Sequence, residues 1–242
     1  MKRWIAKLVL FLLLGAIVNV AVAWGITGCS EQPSSPTPLT AKEIVRRMLQ
    51  AYATCDTYQD KGLTERWIYG TTQTIRFETA FKRPNNFRLD FRVEGTTPTE
   101  NFSYHYVVYA SNEGAFNWAD AARYAELTGP QESLSMALAG AATGVSDVPA
   151  LLLPSTVGAR IFNDAADMSN LSRGEDTIID GFPCYRIKGD TNVGPIWLAI
   201  DKQTFLIRRQ HESMLDNEVQ KTTEYTPEIG ISVDNKNFSG PE

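Results

Sequence analysis

Regular alternation of apolar and charged residues marks the clearest strand in the chain. In Phe87–Glu94 every second residue is apolar and the residues between them are charged, which is typical of a strand with one dry face and one wet face. The stretches Ile75–Phe81 and Phe102–Val108 repeat this alternation. The turn Arg83–Asn86 and the polar loop Glu94–Asn101 separate them. Sequential strands of this kind predict an antiparallel meander.

A second group of strands is predicted near the C-terminal end. Asp180–Gly181 stands between two β-prone runs and is a strong signal for a tight hairpin turn. A second hairpin is predicted where Ile196–Ile200 leads through Asp201–Thr204 into Phe205–Arg209. Glu218–Thr226 is expected to add one more strand.

The first predicted helix begins directly before the first strands. Thr40 and Glu43 form a capping-box pattern, and apolar residues then recur on one helical face from Ile44 to Tyr52. We expect this helix to end between Thr54 and Thr57.

Two further helical segments are predicted in the middle of the chain. Thr128 and Gln131 form another capping-box pattern, followed by an apolar stripe over Leu134–Ala141 that Gly144 is expected to end. A short apolar segment, Ala150–Leu153, follows and is terminated by a proline.

One consideration selects the architecture. A sheet of eight or more strands with a single apolar face must cover that face, and the sequence offers three helical segments rather than a second set of strands. The expected fold class is therefore α+β, with a single strongly curved antiparallel sheet, an incomplete barrel, whose concave face is covered by helices.

The N-terminal residues have the pattern of an export signal. Lys2, Arg3 and Lys7 precede the apolar stretch Leu8–Ala23, as in the first two regions of a signal peptide. Ile26–Cys29 resembles the lipobox of bacterial lipoproteins, in which the cysteine is lipidated. We therefore expect a signal peptide over 1–28 and lipidation at Cys29. The alternatives are a retained membrane anchor, for which the apolar stretch is long enough, and a soluble secreted protein.

The residues after the signal divide into a tether and a domain. Residues 29–39 comprise the lipidated cysteine and a polar, proline-rich tether, and residues 40–242 form one domain. Removing the signal takes away three basic residues and no acidic one, which moves the formal net charge from −5 to −8. Nucleic acid is therefore not expected as a partner. The expected location is the cell envelope, facing the periplasm and lipid-anchored, and Ser30 weakly favours the outer membrane.

Two cysteines remain once Cys29 is lipidated. In an oxidising compartment Cys55 and Cys184 are expected to form a disulfide, although two buried free thiols are the alternative.

The order of helix, strands, apolar helices and strands resembles the LolA/LolB-like superfamily of periplasmic lipoprotein carriers, which includes RseB-type sensors. The residues that carry the resemblance are Phe81–Arg88, similar to a turn between early strands of that family, and the hairpins Ile179–Tyr185 and Trp197–Arg209. The resemblance spans about residues 40–238. It implies an incomplete barrel with an apolar interior that accepts acyl chains, with helices as plug and lid.

The resemblance also implies the candidate ligand-binding residues and the function. The candidates lie on the apolar strand faces and on the presumed lid: Phe77, Leu89, Phe91, Tyr104, Tyr106, Leu151, Leu152, Leu153 and Leu198. Ordinary core packing is the alternative for each of them. The leading hypothesis is a membrane-tethered lipoprotein that binds a hydrophobic ligand, either a lipid or the acyl chain of another lipoprotein. The alternative is an RseB-like sensor or adaptor that binds an envelope protein.

Catalytic chemistry receives little support from the sequence. His105 and His211 lie in predicted strands without metal-ligand spacing, and no nucleophile elbow, phosphate loop or metalloprotease motif is present. Asp120, Asp164, Asp167 and Glu126 could supply paired carboxylates, which keeps a hydrolase only as a minor alternative. We expect the protein to have no enzymatic activity and to bind no cofactor and no metal. Arg83, Arg88 and Arg92 form a basic strip that could meet a lipid headgroup or could pair with Asp90 and Glu94.

Overall fold

Across the residues that the structure describes, the fold is built on one antiparallel sheet of thirteen strands that does not close into a barrel. The computed structural model describes residues 38–141, 144–153, 167–215 and 218–240. The predicted signal peptide, Cys29 and nearly all of the predicted tether lie outside these residues. Thr40–Glu242 is a compact unit of its own. The predicted fold class, a single antiparallel sheet with few helices, is confirmed.

The strands follow one another along the sheet with few crossovers. Their order is β6-β5-β4-β3-β2-β1-β12-β11-β10-β9-β7, with β13 beside β1 and β8 beside β9. Their bounds are β1 Thr57–Ile68, β2 Thr71–Lys82, β3 Asn86–Thr96, β4 Asn101–Ser111, β5 Gly114–Ala119, β6 Gly129–Gln131, β7 Ser169–Arg173, β8 Thr177–Ile179, β9 Phe182–Asp190, β10 Pro195–Asp201, β11 Ile207–Met214, β12 Val219–Tyr225 and β13 Glu228–Ile229.

The strand register defines two faces of the sheet. Residues that stand opposite each other across a ladder share a face, and the series Thr223, Thr64, Ile75 and Val93 runs across four strands in this way. We call the face that carries these residues the inner face, because helices cover it. The opposite side, which carries the Lys61–Glu78 pair, is the outer face.

Three α-helices are described: α1 Ala41–Thr54, α2 Leu134–Ala141 and α3 Val148–Leu152. The Thr40 hydroxyl caps α1 by accepting a hydrogen bond from the Glu43 amide at 3.2 Å, as predicted. The apolar face of α1 is buried, and the hydroxyl of Tyr52 accepts a hydrogen bond from the Ile207 amide on β11 at 3.0 Å. Helix α1 is therefore fixed to the middle of the sheet.

The predicted start of the second helix is wrong. Gly129–Gln131 forms the short strand β6 on β5, and α2 begins only at Leu134. The hydroxyl of Ser133 accepts the hydrogen bond from the Met136 amide that caps it. Gly129 has a positive φ of 123°, a conformation that favours glycine and that a helix interior excludes, so the chain cannot continue from Thr128 as a helix.

The predicted disulfide does not form in the structure. Cys55 and Cys184 are buried free thiols. Cys55 follows α1, which packs on the inner face, and its thiol lies 3.2 Å from the carbonyl oxygen of Tyr52. Cys184 packs against Ile179 and Ala199, on the outer face of β9 by the register. Burial raises the pKa of both thiols.

The segment after β12 packs on the outer face. Val233 and Phe238, the latter in the short 3₁₀ helix Asn235–Phe238, form a small apolar cluster with Ala80 of β2. The guanidinium of Arg88 donates a hydrogen bond to the carbonyl oxygen of Ser239. These contacts hold the C-terminal segment across β2 and β3.

Gly62 allows the ring of Phe77 to lie over the strand. A Cβ atom added at Gly62 would overlap this ring, which is only 2% exposed and cannot move aside. We expect Gly62→Ala to lower the free energy of unfolding by about 1–3 kcal/mol, the usual cost of overpacking, as measured by urea denaturation. Gly95→Ala is the matched control because it meets the less buried ring of Phe102. Equal losses in both variants would contradict this explanation.

Candidate functional site

The predicted ligand-binding residues gather on the inner face and on the helices that cover it. Phe77, Phe91 and Tyr106 stand opposite one another on β2, β3 and β4, and the last two rings stack with centroids 5.4 Å apart. Leu198 belongs to the same face on β10, where it faces Ile187. The sequence pattern therefore assigned these side chains to the correct side of the sheet.

The remaining candidates occupy the margin and the cover of this interior. Leu89 on β3 is fully buried, whereas Tyr104 on β4 is half-buried and lies 4.9 Å from the ring of Tyr124 between centroids. Leu151 and Leu152 lie in α3, and Leu153 follows it; all three are buried. Eight of the nine candidates are therefore buried together, and their role in ligand binding stays a prediction.

We call residues 134–141 and 144–153 the cover. Helix α2 packs on β4 and β5, and the side-chain amide of Asn117 donates to the carbonyl oxygen of Ala137 at 3.1 Å. The hydroxyl of Thr64 donates to the carbonyl oxygen of Val145 at 2.7 Å. Helix α3 contacts α1. The cover is therefore attached to the sheet by a small number of polar contacts and by its apolar side chains.

A buried ionic cluster joins the cover to the sheet. The ammonium group of Lys221 on β12 lies 2.6 Å from a carboxylate oxygen of Glu212 and 3.2 Å from one of Asp147, the residue that precedes α3. The side-chain amide of Gln210 donates to both carboxylates. The three charged side chains are only 3–4% exposed, so their charges interact with little screening by water.

The cluster perturbs the protonation of its members. Burial and the neighbouring charge of Asp147 raise the pKa of Glu212 to about 7, against the opposing effect of Lys221. Burial alone lowers the pKa of Lys221, but the Asp147 and Glu212 carboxylates raise it above its ordinary value. With all three groups ionised the cluster carries one net negative charge, and a proton on Glu212 makes it neutral.

Sequence reasoning missed this cluster. Every residue from Arg208 to Glu212 is polar, so no alternation shows which side of β11 faces inward. Register alone reveals it, because Gln210 and Glu212 stand opposite Thr223 and Lys221. The sequence signal that pointed to the cluster was Asp147, a carboxylate placed directly before an apolar segment.

A second buried carboxylate lies on β1. Asp60 is 4% exposed, accepts a hydrogen bond from the Tyr58 hydroxyl at 2.7 Å and another from the Thr79 amide at 3.1 Å. Burial raises its pKa to about 6. The inner face is therefore apolar around β2 to β4 and polar around β1, β12 and β11.

The candidate residues of the inner face are deeply buried. Phe91 and Tyr106 are 2% exposed, and Leu89 and Leu198 are fully buried. Two pockets of about 640 and 620 Å³ are lined by described residues, and the residues of β1, β2 and β3 that line them lie mostly on the outer face.

The predicted basic strip divides into three different environments. Arg83 donates to the carbonyl oxygens of Ala53 and Cys55 at the end of α1, at 2.6 and 2.8 Å. Arg88 forms an ion pair with Asp90 at 2.7 Å, as the alternative interpretation expects. Arg92 stands opposite Arg76 on β2.

The two histidines lie on the outer face. His105 Nε2 lies 2.6 Å from a carboxylate oxygen of Asp90, and His211 Nδ1 lies 2.9 Å from the hydroxyl of Thr222. Among the described residues, no group of three histidine, cysteine, aspartate or glutamate side chains could hold a metal ion. In the same part of the chain, no helix has both the length and the apolar composition required to span a bilayer.

Comparison with known proteins identifies the fold. No protein-family model matches the chain, and no curated protein matches it. The structure of LprF from Mycobacterium bovis matches with a TM-score of 0.51 at 11% identity, over 83% of this chain and 96% of LprF. A LolA superfamily protein from Nitrosomonas europaea matches with a TM-score of 0.31 at 9% identity, over 84% of this chain and 99% of that protein.

A complex of MucA and MucB from Pseudomonas aeruginosa also matches, with a TM-score of 0.46 at 12% identity over 83% of this chain. The chain spans about three fifths of the matched protein, 61% of its length. Together with the open antiparallel sheet, the match to LprF shows that this chain shares the fold of that protein. Identities this low show a shared fold alone.

Proposed function

We propose that this chain is a membrane-tethered protein of the cell envelope that binds the hydrophobic part of a lipid, or the acyl chain of a lipoprotein, between the inner face and the cover. The observation that carries the proposal is that five predicted apolar residues of the inner face lie buried, and three more are buried in the cover of two short helices. A packed interior of this kind can exchange its own side-chain contacts for contacts with a ligand.

The energy of such an exchange favours long apolar ligands. Each CH₂ group removed from water contributes about 0.8 kcal/mol, so an acyl chain can offset the cost of displacing a short helix. Helices α2 and α3 have eight and five residues, too few to be stable without their packing. The ion pair of Asp147 with Lys221 is then a buried polar attachment that opening must break.

The predicted tether fits a protein that works near a membrane surface. The ten residues from Ser30 to Leu39 are rich in proline and, at roughly 3.1 Å per residue for an extended proline-rich chain, reach about 30 Å. A lipid on Cys29 would therefore keep the domain within about one domain diameter of the bilayer, where acyl chains are supplied.

Co-purified lipid tests the proposal. Protein that begins at Ser30 retains the compact unit Thr40–Glu242, and we expect native mass spectrometry to detect about one lipid per protein molecule, because an apolar interior holds acyl chains without specific polar partners. The fluorescent fatty acid cis-parinaric acid should bind at the same ratio and displace the lipid.

Two variants, one at a buried leucine and one at an exposed methionine, locate the binding region. Leu151→Gln places an amide beneath the cover and should weaken cis-parinaric acid binding by about tenfold, whereas Met136→Gln changes a side chain that is 54% exposed and should have no effect. Circular dichroism checks that both variants fold. Lipid-free protein that also fails to bind the fatty acid would exclude the carrier function.

That negative result would favour the adaptor alternative, which one observation supports. Tyr69 and Leu215, at the tips of the hairpins β1–β2 and β11–β12, are 64% and 57% exposed. The two tips adjoin, since the Tyr69 amide donates to the carbonyl oxygen of Glu218 at 3.3 Å. Exposed apolar side chains at one rim are typical of a contact with another protein.

A further inference from the structure

Two arginines stand directly opposite each other on the outer face. Arg76 of β2 and Arg92 of β3 are cross-strand partners, and both side chains are exposed. Like charges at directly opposite positions destabilise a sheet. The arrangement therefore needs a compensating partner or carries a cost to the fold.

The surrounding charges do not supply that partner. Lys61 pairs with Glu78 at 2.8 Å, and Glu224 pairs with Arg209 at 2.6 Å. Asp90 is held by Arg88 and by His105, at 2.7 and 2.6 Å. Among the described residues, the side chains of Arg76 and Arg92 have neither a hydrogen bond nor an ion pair, although four acidic side chains line the same pocket.

The two guanidinium groups also border a cavity. Arg76 and Arg92 line the outer-face pocket of about 640 Å³, with Leu63 of β1 beside Arg76 and the hairpin residue Asp180 at the margin. Side chains at directly opposite positions leave the sheet about 5 Å apart, so both guanidinium groups can reach one small ligand in this pocket.

We propose that Arg76 and Arg92 together form a binding site for a phosphate-type oxyanion on the outer face of the sheet. Each guanidinium group presents a planar fork of N–H donors that matches two oxygens of a phosphate group. Two forks therefore satisfy the oxygens of one phosphate, and the phosphate removes the repulsion between the arginines. The ligand is either a free phosphate or the phosphate of a lipid headgroup. The site is on the opposite face from the hydrophobic interior and does not depend on the proposed function.

Calorimetric titration of the full chain in uncharged detergent micelles with inorganic phosphate tests the site. We expect one phosphate to bind per chain, with affinity about tenfold weaker in Arg76→Gln and in Arg92→Gln, since each substitution removes a charge-assisted interaction. The double variant should show no measurable binding. The control is the double variant Lys42→Gln/Lys188→Gln, which removes two exposed charges and should bind as the unmodified protein does.

The side-chain Nε–H resonances of Arg76 and Arg92 in ¹⁵N NMR spectra should shift with phosphate in the unmodified protein. Because the double arginine variant relieves like-charge repulsion, its unfolding midpoint should be equal or higher, and phosphate should raise the midpoint only where both arginines are present. The proposal is overturned if neither inorganic phosphate nor phosphatidylglycerol binds, or if the lysine control loses as much affinity as the arginine variant.

The source of the phosphate is separated by a second titration. Phosphatidylglycerol and diacylglycerol are each mixed into the micelles in turn. An arginine-dependent response to phosphatidylglycerol and not to inorganic phosphate assigns the site to a lipid headgroup, and responses to both assign it to the phosphate group itself. If no response to either probe depends on Arg76 and Arg92, the site does not exist.

Discussion

Replacing Lys221 by methionine is expected to lower the free energy of unfolding by about 3–5 kcal/mol at neutral pH, the loss that follows when one partner of a buried ion pair is removed. Asp147 and Glu212 would then remain buried without a counter-ion, and both are less than 5% exposed. Methionine has a similar length and keeps the apolar part of the side chain, so the loss reports on the charge. Urea denaturation followed by circular dichroism measures it.

Lys61→Met is the matched control for this prediction. Lys61 also pairs with a glutamate across a strand ladder, but the two side chains are 75% and 63% exposed, and such pairs contribute less than about 1 kcal/mol. The combined variant Lys221→Met/Glu212→Met/Asp147→Asn should regain most of the lost stability, because it leaves no charge in the interior. A loss in Lys221→Met no larger than in Lys61→Met would show that the cluster does not hold the cover.

The contrast between β3 and β11 explains which parts of the fold the sequence predicts. In β3 the apolar residues from Phe87 to Val93 alternate with charged ones, so strand, face and burial all follow from one pattern. In β11 the inward residues Gln210 and Glu212 are as polar as the outward ones. Their burial depends on Asp147, a partner more than sixty residues away along the chain. No local pattern contains that information.

Turn residues were as informative as the alternation of apolar and charged residues, because a tight turn depends only on its sequence neighbours. Asp180 and Gly181 both have positive φ, 49° and 85°, as a two-residue hairpin of the predicted type requires. The hairpin from β10 to β11 was also placed correctly, since Asp201 accepts hydrogen bonds from the amides of Gln203 and Thr204. Such turns depend on two to four neighbouring residues, and the sequence therefore specifies them.

Features that depend on distant packing were not predicted. The disulfide between Cys55 and Cys184 was inferred from compartment and cysteine count, but both thiols are free in the structure. The C-terminal segment shows no period, and its apolar cluster with Ala80 comes from the scattered residues Ile231, Val233 and Phe238. For the same reason the candidate ligand-binding residues could be assigned to one face, whereas the ionic cluster beneath the cover could not be predicted.

Stability of the protein is expected to rise as the pH falls from about 8 to about 5. The pKa of Glu212 is about 7 in the folded protein, against an ordinary value of 4.5, so the folded state binds more protons than the unfolded state between these values. Folding is therefore least favoured above pH 7, where Glu212 is charged in both states. The shift corresponds to at most about 3 kcal/mol at about 1.4 kcal/mol per pKa unit.

The groups that face Glu212 determine this behaviour. Asp147 on the cover and Lys221 on β12 carry opposite charges, and Arg66 of β1 stands opposite Lys221. Asp60, whose pKa is raised to about 6 by burial, adds a smaller effect of the same sign at lower pH.

The variant Glu212→Gln separates the contribution of Glu212 to the pH dependence of stability from that of Asp60. The variant should be more stable than the unmodified protein at about pH 8, by up to about 3 kcal/mol, and should match it at about pH 5, where Glu212 is protonated in the fold. Asp60→Asn is the control, because it should leave the dependence between pH 6 and 7 intact. Unfolding midpoints in urea, measured between about pH 5 and pH 8, test this prediction. A stability that rises with pH in the unmodified protein would show that Glu212 is ionised without penalty beneath the cover.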